Sequence, residues 1–356
     1  MEKVISFPHM GNYNVPVQCL LNLIFDDFKI QEAPPITKKT LELGSRYSPD
    51  FVCVPFKYNL GNFIEALENG ANILLQAGGG CRFGYYGEVQ EQILRDLGYD
   101  FEFIQFLNAD VNIFSIYKVS RRLGSKLSMR QFLNYILLTF KMVSIIDNVE
   151  GYIRENIGFE SKKGSFDKLH REFLEELRQV DSWKSLDSIH KNYDRQIRAL
   201  KINKPNNCLK VGMVGELYTL MEPYSNFFME KELAKNNMAI SRYITATYLL
   251  FQKSRQNKTR IKQAGGYLKY HLGADGTDSV ARSRMMAESG YDGIIHVKPF
   301  GCTPEVNAMP MLQNIGRDYK IPILYFSFDS QTSETGIKTR IEAFNDMILM
   351  RKGLKG

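Results

Sequence analysis

Short apolar runs alternate with amphipathic stretches over residues 3–105 and again over 209–350, and this alternation constrains the chain more than any other feature. A period near two that keeps switching to a period near 3.6 is the pattern of a mainly parallel sheet wrapped by helices. In the first region the spacing predicts strands at 3–7, 28–32, 51–54, 72–76 and 101–105, with helices at 13–25, 38–46, 57–69 and 85–97. The turn-rich join Lys204-Pro205-Asn206-Asn207 leads into the apolar run Leu209 to Val214. From there the spacing predicts strands at 239–243, 293–297 and 322–327 and helices at 225–236, 277–289, 305–319 and 336–350.

Between the two regions the character changes. Over 109–205 basic residues such as Arg121, Arg122, Lys126, Arg130, Lys168 and Arg178 alternate with Leu, Ile and Phe at helical spacing, and no proline occurs before Pro205. The expected architecture is therefore two open α/β domains of the Rossmann or flavodoxin kind, with mainly parallel sheets facing across a cleft, plus a helical middle region. Boundaries are expected at 1–108 for the N-terminal α/β domain, 109–208 for the helical region and 209–356 for the C-terminal α/β domain.

Charge and composition narrow the partners. Lys and Arg number 46 against 39 Asp and Glu, a net charge of +7, but both signs are interleaved and no long basic block occurs. That balance suits an acidic partner or a phosphorylated ligand without demanding either. The aromatic residues lack the basic interleaving of a nucleic-acid groove, so that partner class is excluded. No stretch approaches the roughly 18 uninterrupted apolar residues of a membrane span, and Met1-Glu2-Lys3-Val4-Ile5-Ser6-Phe7 runs straight into a strand pattern. The expectation is a cytoplasmic protein with no membrane partner, whose five cysteines do not form structural disulfides.

Three of those cysteines share a position. Cys53 follows Phe51-Val52, Cys81 follows Ala77-Gly78-Gly79-Gly80, and Cys302 follows Phe300-Gly301, so each is expected just beyond the carboxyl end of a strand. In open α/β sheets that crevice is where ligands bind, and three thiolates from separate loops can hold a soft metal or an iron–sulfur cluster. A single cytosolic cysteine beside a strand is more often a small buried hydrophobe. Gly79, Gly80 and Gly301 permit close backbone approach to such a group, and Pro55 and Pro304 stiffen the chain two residues after their cysteines. Cys19, among Val17, Leu20, Leu21 and Leu23, reads as packing, and Cys208 precedes a strand at the wrong edge.

The motifs Ser6-Phe7-Pro8-His9-Met10-Gly11-Asn12, Phe51-Val52-Cys53-Val54-Pro55-Phe56-Lys57 and Gly79-Gly80-Cys81-Arg82-Phe83-Gly84-Tyr85-Tyr86-Gly87-Glu88 belong together. With His296-Val297-Lys298-Pro299-Phe300-Gly301-Cys302-Thr303-Pro304-Glu305 and Thr339-Arg340-Ile341-Glu342-Ala343-Phe344, the chain resembles the small stand-alone proteins of the 2-hydroxyacyl-CoA dehydratase and activase-associated superfamily. Double-cubane cluster proteins are more distant relatives. The resemblance covers roughly 1–108 and 209–350 and leaves the helical middle undiagnosed.

The resemblance implies an iron–sulfur cluster, a [4Fe-4S] cubane or a bridged double cubane, with Cys53, Cys81 and Cys302 as metal ligands. It also implies a partner activase that hydrolyses ATP and supplies low-potential electrons, a small-molecule or acyl-CoA substrate, and work as a homodimer or beside a homologous subunit. No glycine run here reads as a phosphate-binding loop followed by Lys-Ser or Lys-Thr, so ATP dependence would come only through the partner. Two functions fit: reduction or dehydration of a small substrate at the cluster, or a non-catalytic carrier or electron-transfer subunit for another enzyme.

Other side chains near the motifs have two readings each. His9, His271 and His296 are proton donors or carbonyl-bound loop residues, with His9 favoured as catalytic. Glu88, Glu216 and Glu305 stand at expected helix starts, where a carboxylate also serves as a cap. Arg82 and Lys57 either balance the charge of a cluster or face solvent. Tyr85, Tyr86 and Tyr218 either shield it from water or pack the core.

Overall fold

The computed structural model describes residues 2–77, 81, 83–106 and 113–353. The chain divides into two compact units, one of residues 1–146 and 171–193, the other of 147–170 and 194–356. Unit 1 runs β1 (Val4–Ser6), α1 (Asn14–Ile24), β2 (Lys29–Ile30), α2 (Lys38–Tyr47), α3 (Val54–Glu68), β3 (Ile73–Ala77), α4 (Phe83–Asp96), β4 (Glu102–Phe106) and α5 (Ile113–Leu123). Three helices follow, α6 (Met129–Asn156), α7 (Ser165–Leu177) and α8 (Trp183–Arg198), and each contributes residues to both units. Unit 2 then runs β5 (Leu209–Gly215), α9 (Leu217–Met221), α10 (Met229–Lys235), β6 (Met238–Arg242), a π-helical turn (Tyr248–Gln252), α11 (Lys253–Ala264), α12 (Gly276–Glu288), β7 (Gly293–Pro299), α13 (Thr303–Asp318), β8 (Ile323–Phe328) and α14 (Glu334–Arg351).

Each unit holds a four-stranded parallel sheet with the same order, β2-β1-β3-β4 and β6-β5-β7-β8. The expected α/β class with two parallel sheets and a helical middle is thus the observed one. In both sheets the chain leaves the first strand in one direction and returns across it to the third. The switch point, where a crevice opens at the carboxyl ends, therefore lies between β1 and β3 and between β5 and β7.

Both sheets are buried on two faces, which is why their strands are short apolar runs rather than strict alternations. Val4 and Leu74 join Phe56, Leu60, Phe63, Ile64 and Leu94 on one face of the first sheet, while Ile5, Ile73 and Leu75 join Leu21, Ile24, Phe25, Phe132 and Ile136 on the other. In unit 2 every residue of β7 is buried. Gly293 is there because a Cβ would stand 2.6 Å from the Phe344 ring of α14.

Two expected elements differ. The apolar run 51–54 is not a strand: Phe51 is 80% exposed and Val54 already begins α3, with Pro55 in its first turn where the missing N–H costs nothing. The expected helix 225–236 is a 3-10 turn at Pro223–Asn226 followed by α10, separated by the left-handed residues Phe227 and Phe228. The long helix α6 lies in a segment apolar enough to cross a membrane by length and composition. Half of its most apolar window is buried inside the protein, as in the core helix of a globular fold.

Candidate functional site

In unit 1 the candidate residues gather at the carboxyl edge of the sheet. His9 follows β1, and its N–H donates to Asn62 Oδ1 at 2.8 Å while Asn62 Nδ2 donates to the Pro34 carbonyl at 2.7 Å. Cys81 follows β3 and is exposed; Gly79, Gly80 and Arg82 beside it lie outside the described residues. Cys53 does not end a strand, as its apolar neighbours suggested, but caps α3. Because α3 feeds into the start of β3, its amino end still lies at the strands' carboxyl edge, so the position survives although the element was misread.

Tyr86 is the common neighbour of both thiols. Its hydroxyl is 3.2 Å from Cys53 Sγ, and its ring meets Phe56 edge-on at 4.8 Å. Burial, then the charge of Cys53, pushes the phenol well above its ordinary value, and Cys81 adds to the shift. The phenol therefore keeps its proton and can donate it to sulfur. Tyr85, by contrast, is 72% exposed, and Glu88 is exposed on α4, lining an open groove of about 580 Å³ with Tyr47, Ser48, Pro49, Val89, Gln92 and Ile93.

In unit 2, Cys302 follows β7 and caps α13, with Pro304 in that helix's first turn. It stands after the third strand of its sheet, as Cys81 does in unit 1. The matching counterpart of Cys53, the cap of the helix before that strand, is Asp275. Gly301 is exposed, with open space where a Cβ would stand. Lys298 is buried at the end of β7 and donates to the Phe300 carbonyl at 3.1 Å. Burial pulls its ammonium below the ordinary value, while Cys302 and Glu305 oppose that pull.

Beneath Cys302 lies a closed polar chain. His296 on β7 and Glu305 on α13 are both wholly buried, with His296 Nε2 and Glu305 Oε2 2.7 Å apart, and Ser279 Oγ of α12 donates to Glu305 Oε1 at 3.1 Å. Glu305 is thus no solvent-facing cap; it ties the first turn of α13 to the sheet. His296 is sealed from solvent, and His271 is exposed with Nδ1 3.3 Å from Thr277 Oγ1.

Glu216 is a true cap. Gly215 at φ 143° turns the chain out of β5, and the buried carboxylate of Glu216 accepts from the Tyr218 and Thr219 amides at 3.0 and 2.9 Å and from Thr219 Oγ1 at 2.7 Å. Tyr218 is held in unit 2 by this cap. Burial, reinforced by Asp275, still pushes the Glu216 carboxyl up from 4.5 to about 7. Since the folded value is the higher one, the protein's stability from this group is complete below pH about 4.5 and is lost as pH rises through about 7. Urea unfolding should show wild type losing on the order of 3 kcal/mol across that window relative to Glu216→Gln; parallel pH profiles would contradict this.

Sequence reasoning did not single out Asp275, Lys253, Tyr248, Asp278 or Arg260. Lys253 pairs with Asp275, which also accepts the Leu217 amide at 3.0 Å; Arg260 pairs with Asp278 at 3.1 Å. Asp275 and Asp278 could have been noticed at an acid-and-glycine helix start, but nothing in the spacing joins them to α11. Cys19 is a buried packing residue: its thiol donates to the Val180 carbonyl, and burial, with Asp181, pushes it up to about 11, which leaves it inert.

Among the described residues no group of three or more His, Cys, Asp or Glu side chains stands where it could hold a metal ion. Residues 279–348 match the family model of the 2-hydroxyglutaryl-CoA dehydratase D-component. The match covers about a fifth of the chain and is a distant link to that enzyme family. It spans Ser279, His296, Lys298, Cys302 and Glu305 and leaves Cys53 and Cys81 outside. No curated protein matches the chain.

Proposed function

We propose that the chain is an iron–sulfur redox protein of the 2-hydroxyacyl-CoA dehydratase type, a dehydratase or reductase, with Cys53, Cys81 and Cys302 as cluster ligands. The observation that carries this reading is Cys302 heading α13 inside the family-matched segment, above the buried Ser279–Glu305–His296 chain. The donor chemistry fits: all three are thiols outside any disulfide, and neither Cys53 nor Cys302 spends its side chain on capping its helix. Soft thiolates are the ligands that iron–sulfur clusters require.

When bound, a cubane cluster would supply single electrons at low potential, the chemistry needed to expel the 2-hydroxyl of an acyl thioester when the proton that departs from the neighbouring 3-carbon is not acidic. The protein's own part is to orient and compensate. The amino ends of α3 and α13 turn amide groups toward Cys53 and Cys302 and favour anionic sulfur. The Tyr86 hydroxyl, 3.2 Å from Cys53 Sγ, can donate to a Cys53 thiolate, and the Lys298 ammonium offsets charge at Cys302. His9, at the end of β1, is the proposed proton donor. The reading includes an ATP-hydrolysing activase as partner, a small or acyl-CoA substrate, pairing with a second copy or a homologous subunit, and a cytoplasmic setting that keeps the thiols reduced.

The test is anaerobic reconstitution of single variants. Cys53→Ser, Cys81→Ser and Cys302→Ser should each lose most of their iron, while Cys19→Ser, whose thiol is buried against Val180, should keep it. Full iron content and an unchanged visible spectrum in all three ligand variants would end the proposal.

A further inference from the structure

In unit 2, three cations stand among two carboxylates. Lys253 is paired with Asp275 and lies 3.9 Å from Asp278, and Arg260 takes Asp278 at 3.1 Å, so both acids are used. The Tyr248 hydroxyl also donates to Asp278. The third cation, Arg282 on α12, makes no ion pair among the described residues, and its Nε is buried with no hydrogen-bond partner.

Arg282 is not idle. Its guanidinium lies over the Tyr243 ring at 4.7 Å and the Tyr248 ring at 5.4 Å, and Arg260 lies over that same Tyr248 ring at 5.2 Å. Two guanidinium groups thus share one aromatic ring. Tyr243 is 40% exposed, so this half-buried guanidinium lies beside an opening to solvent. Stacking recovers part of the cost of desolvating a guanidinium, and Asp278 offsets some of its charge, but Asp278 is already paired with Arg260 and makes no ion pair with Arg282. Burial, then Arg260, accordingly pulls Arg282 below its ordinary value.

We propose that Arg282, framed by Tyr243 and Tyr248, is a binding site for an oxyanion, the carboxylate or phosphate group of a small ligand. A planar guanidinium presents paired N–H donors that match two oxygens of either group, and the tyrosine rings hold its plane in place for them. The site stands on unit 2 alone and needs neither a cluster nor the dehydratase reading.

The experiment uses the full chain without added iron. Thermal unfolding is followed while phosphate or acetate is titrated against chloride at matched ionic strength. The wild-type midpoint should rise with at least one oxyanion, in proportion to the logarithm of its concentration above the dissociation constant, and not with chloride; a response to phosphate alone identifies a phosphoryl ligand, and one to acetate alone a carboxylate. Arg282→Gln should lose that rise, and without oxyanion it should be at least as stable as wild type, because a buried unpaired charge is gone. A second measurement needs no variant: phenylglyoxal modification of Arg282, read by peptide mass spectrometry, should slow about tenfold with the anion at about ten times its dissociation constant. No midpoint rise above chloride in the wild type, a rise that Arg282→Gln keeps, or modification of Arg282 at an unchanged rate would each overturn the site.

Discussion

Glu305→Ala is expected to lower the stability of unit 2 by about 3 kcal/mol, because it strips a wholly buried histidine of its partner. His296 Nδ1 has no hydrogen-bond partner, so the 2.7 Å contact from Nε2 to Glu305 is the imidazole's polar tie to the core, beside its edge-on packing against the Tyr325 ring. The alanine would also leave Ser279 Oγ facing an empty space. Glu305→Gln should cost less, since it keeps the volume and one acceptor oxygen. His296→Leu should be costly in the mirror sense, leaving a buried carboxylate with Ser279, and joining it to Glu305→Leu should cost less than the two changes added. Urea unfolding of the five variants, the single Glu305→Leu included, checks this, and a loss below about 1 kcal/mol for Glu305→Ala would show that the pair contributes little.

Gly44→Ala is the second large effect. The backbones of α2 and α3 touch where Gly44 and Gly61 face the opposite chain, and a Cβ at Gly44 would stand 1.7 Å from the Lys57 carbonyl oxygen. Backbone cannot swing aside as a side chain can, so the helices must part, at a cost on the order of 3 kcal/mol. The break would reach Cys53, because α3 carries that cysteine at its amino end. Gly151→Ala is the matched control: it lies within α6 with open space around it, and a helix-interior alanine there should stabilise by about 1 kcal/mol. Unfolding midpoints that move alike in both variants would contradict the close approach.

Most of the fold was legible because both sheets are buried on two faces, which leaves strands as apolar runs such as Ile73–Ala77 and Gly293–Pro299 bounded by turns. The run at 51–54 misled for a physical reason. Phe51-Val52-Cys53-Val54 has the composition of a strand, but Pro55 favours the first turn of a helix, and that local preference decides the element. Phe227 and Phe228 escaped notice because no sequence rule expects two bulky residues in the left-handed region, one after the other.

The candidate site was legible where glycine and proline mark it. Cys53 and Cys302 each stand two residues before a proline that begins a helix, and Cys81 follows a glycine run. What the sequence could not show are partnerships made across the fold. Tyr86 finds Cys53 from 33 residues away, and Lys253 finds Asp275 from 22 residues away. Coulombic and hydrogen-bonded pairs of that kind depend on how helices pack, which no local spacing encodes.

The central claim is that these thiols hold an iron–sulfur cluster, and the direct measurement is iron and acid-labile sulfide content with electron paramagnetic resonance on protein purified and reconstituted without oxygen. A cubane predicts about four iron and four sulfide per chain and a signal that appears on reduction. Protein that binds neither element under those conditions, gives no reduced signal and leaves the thiols of Cys53, Cys81 and Cys302 freely titratable would contradict it.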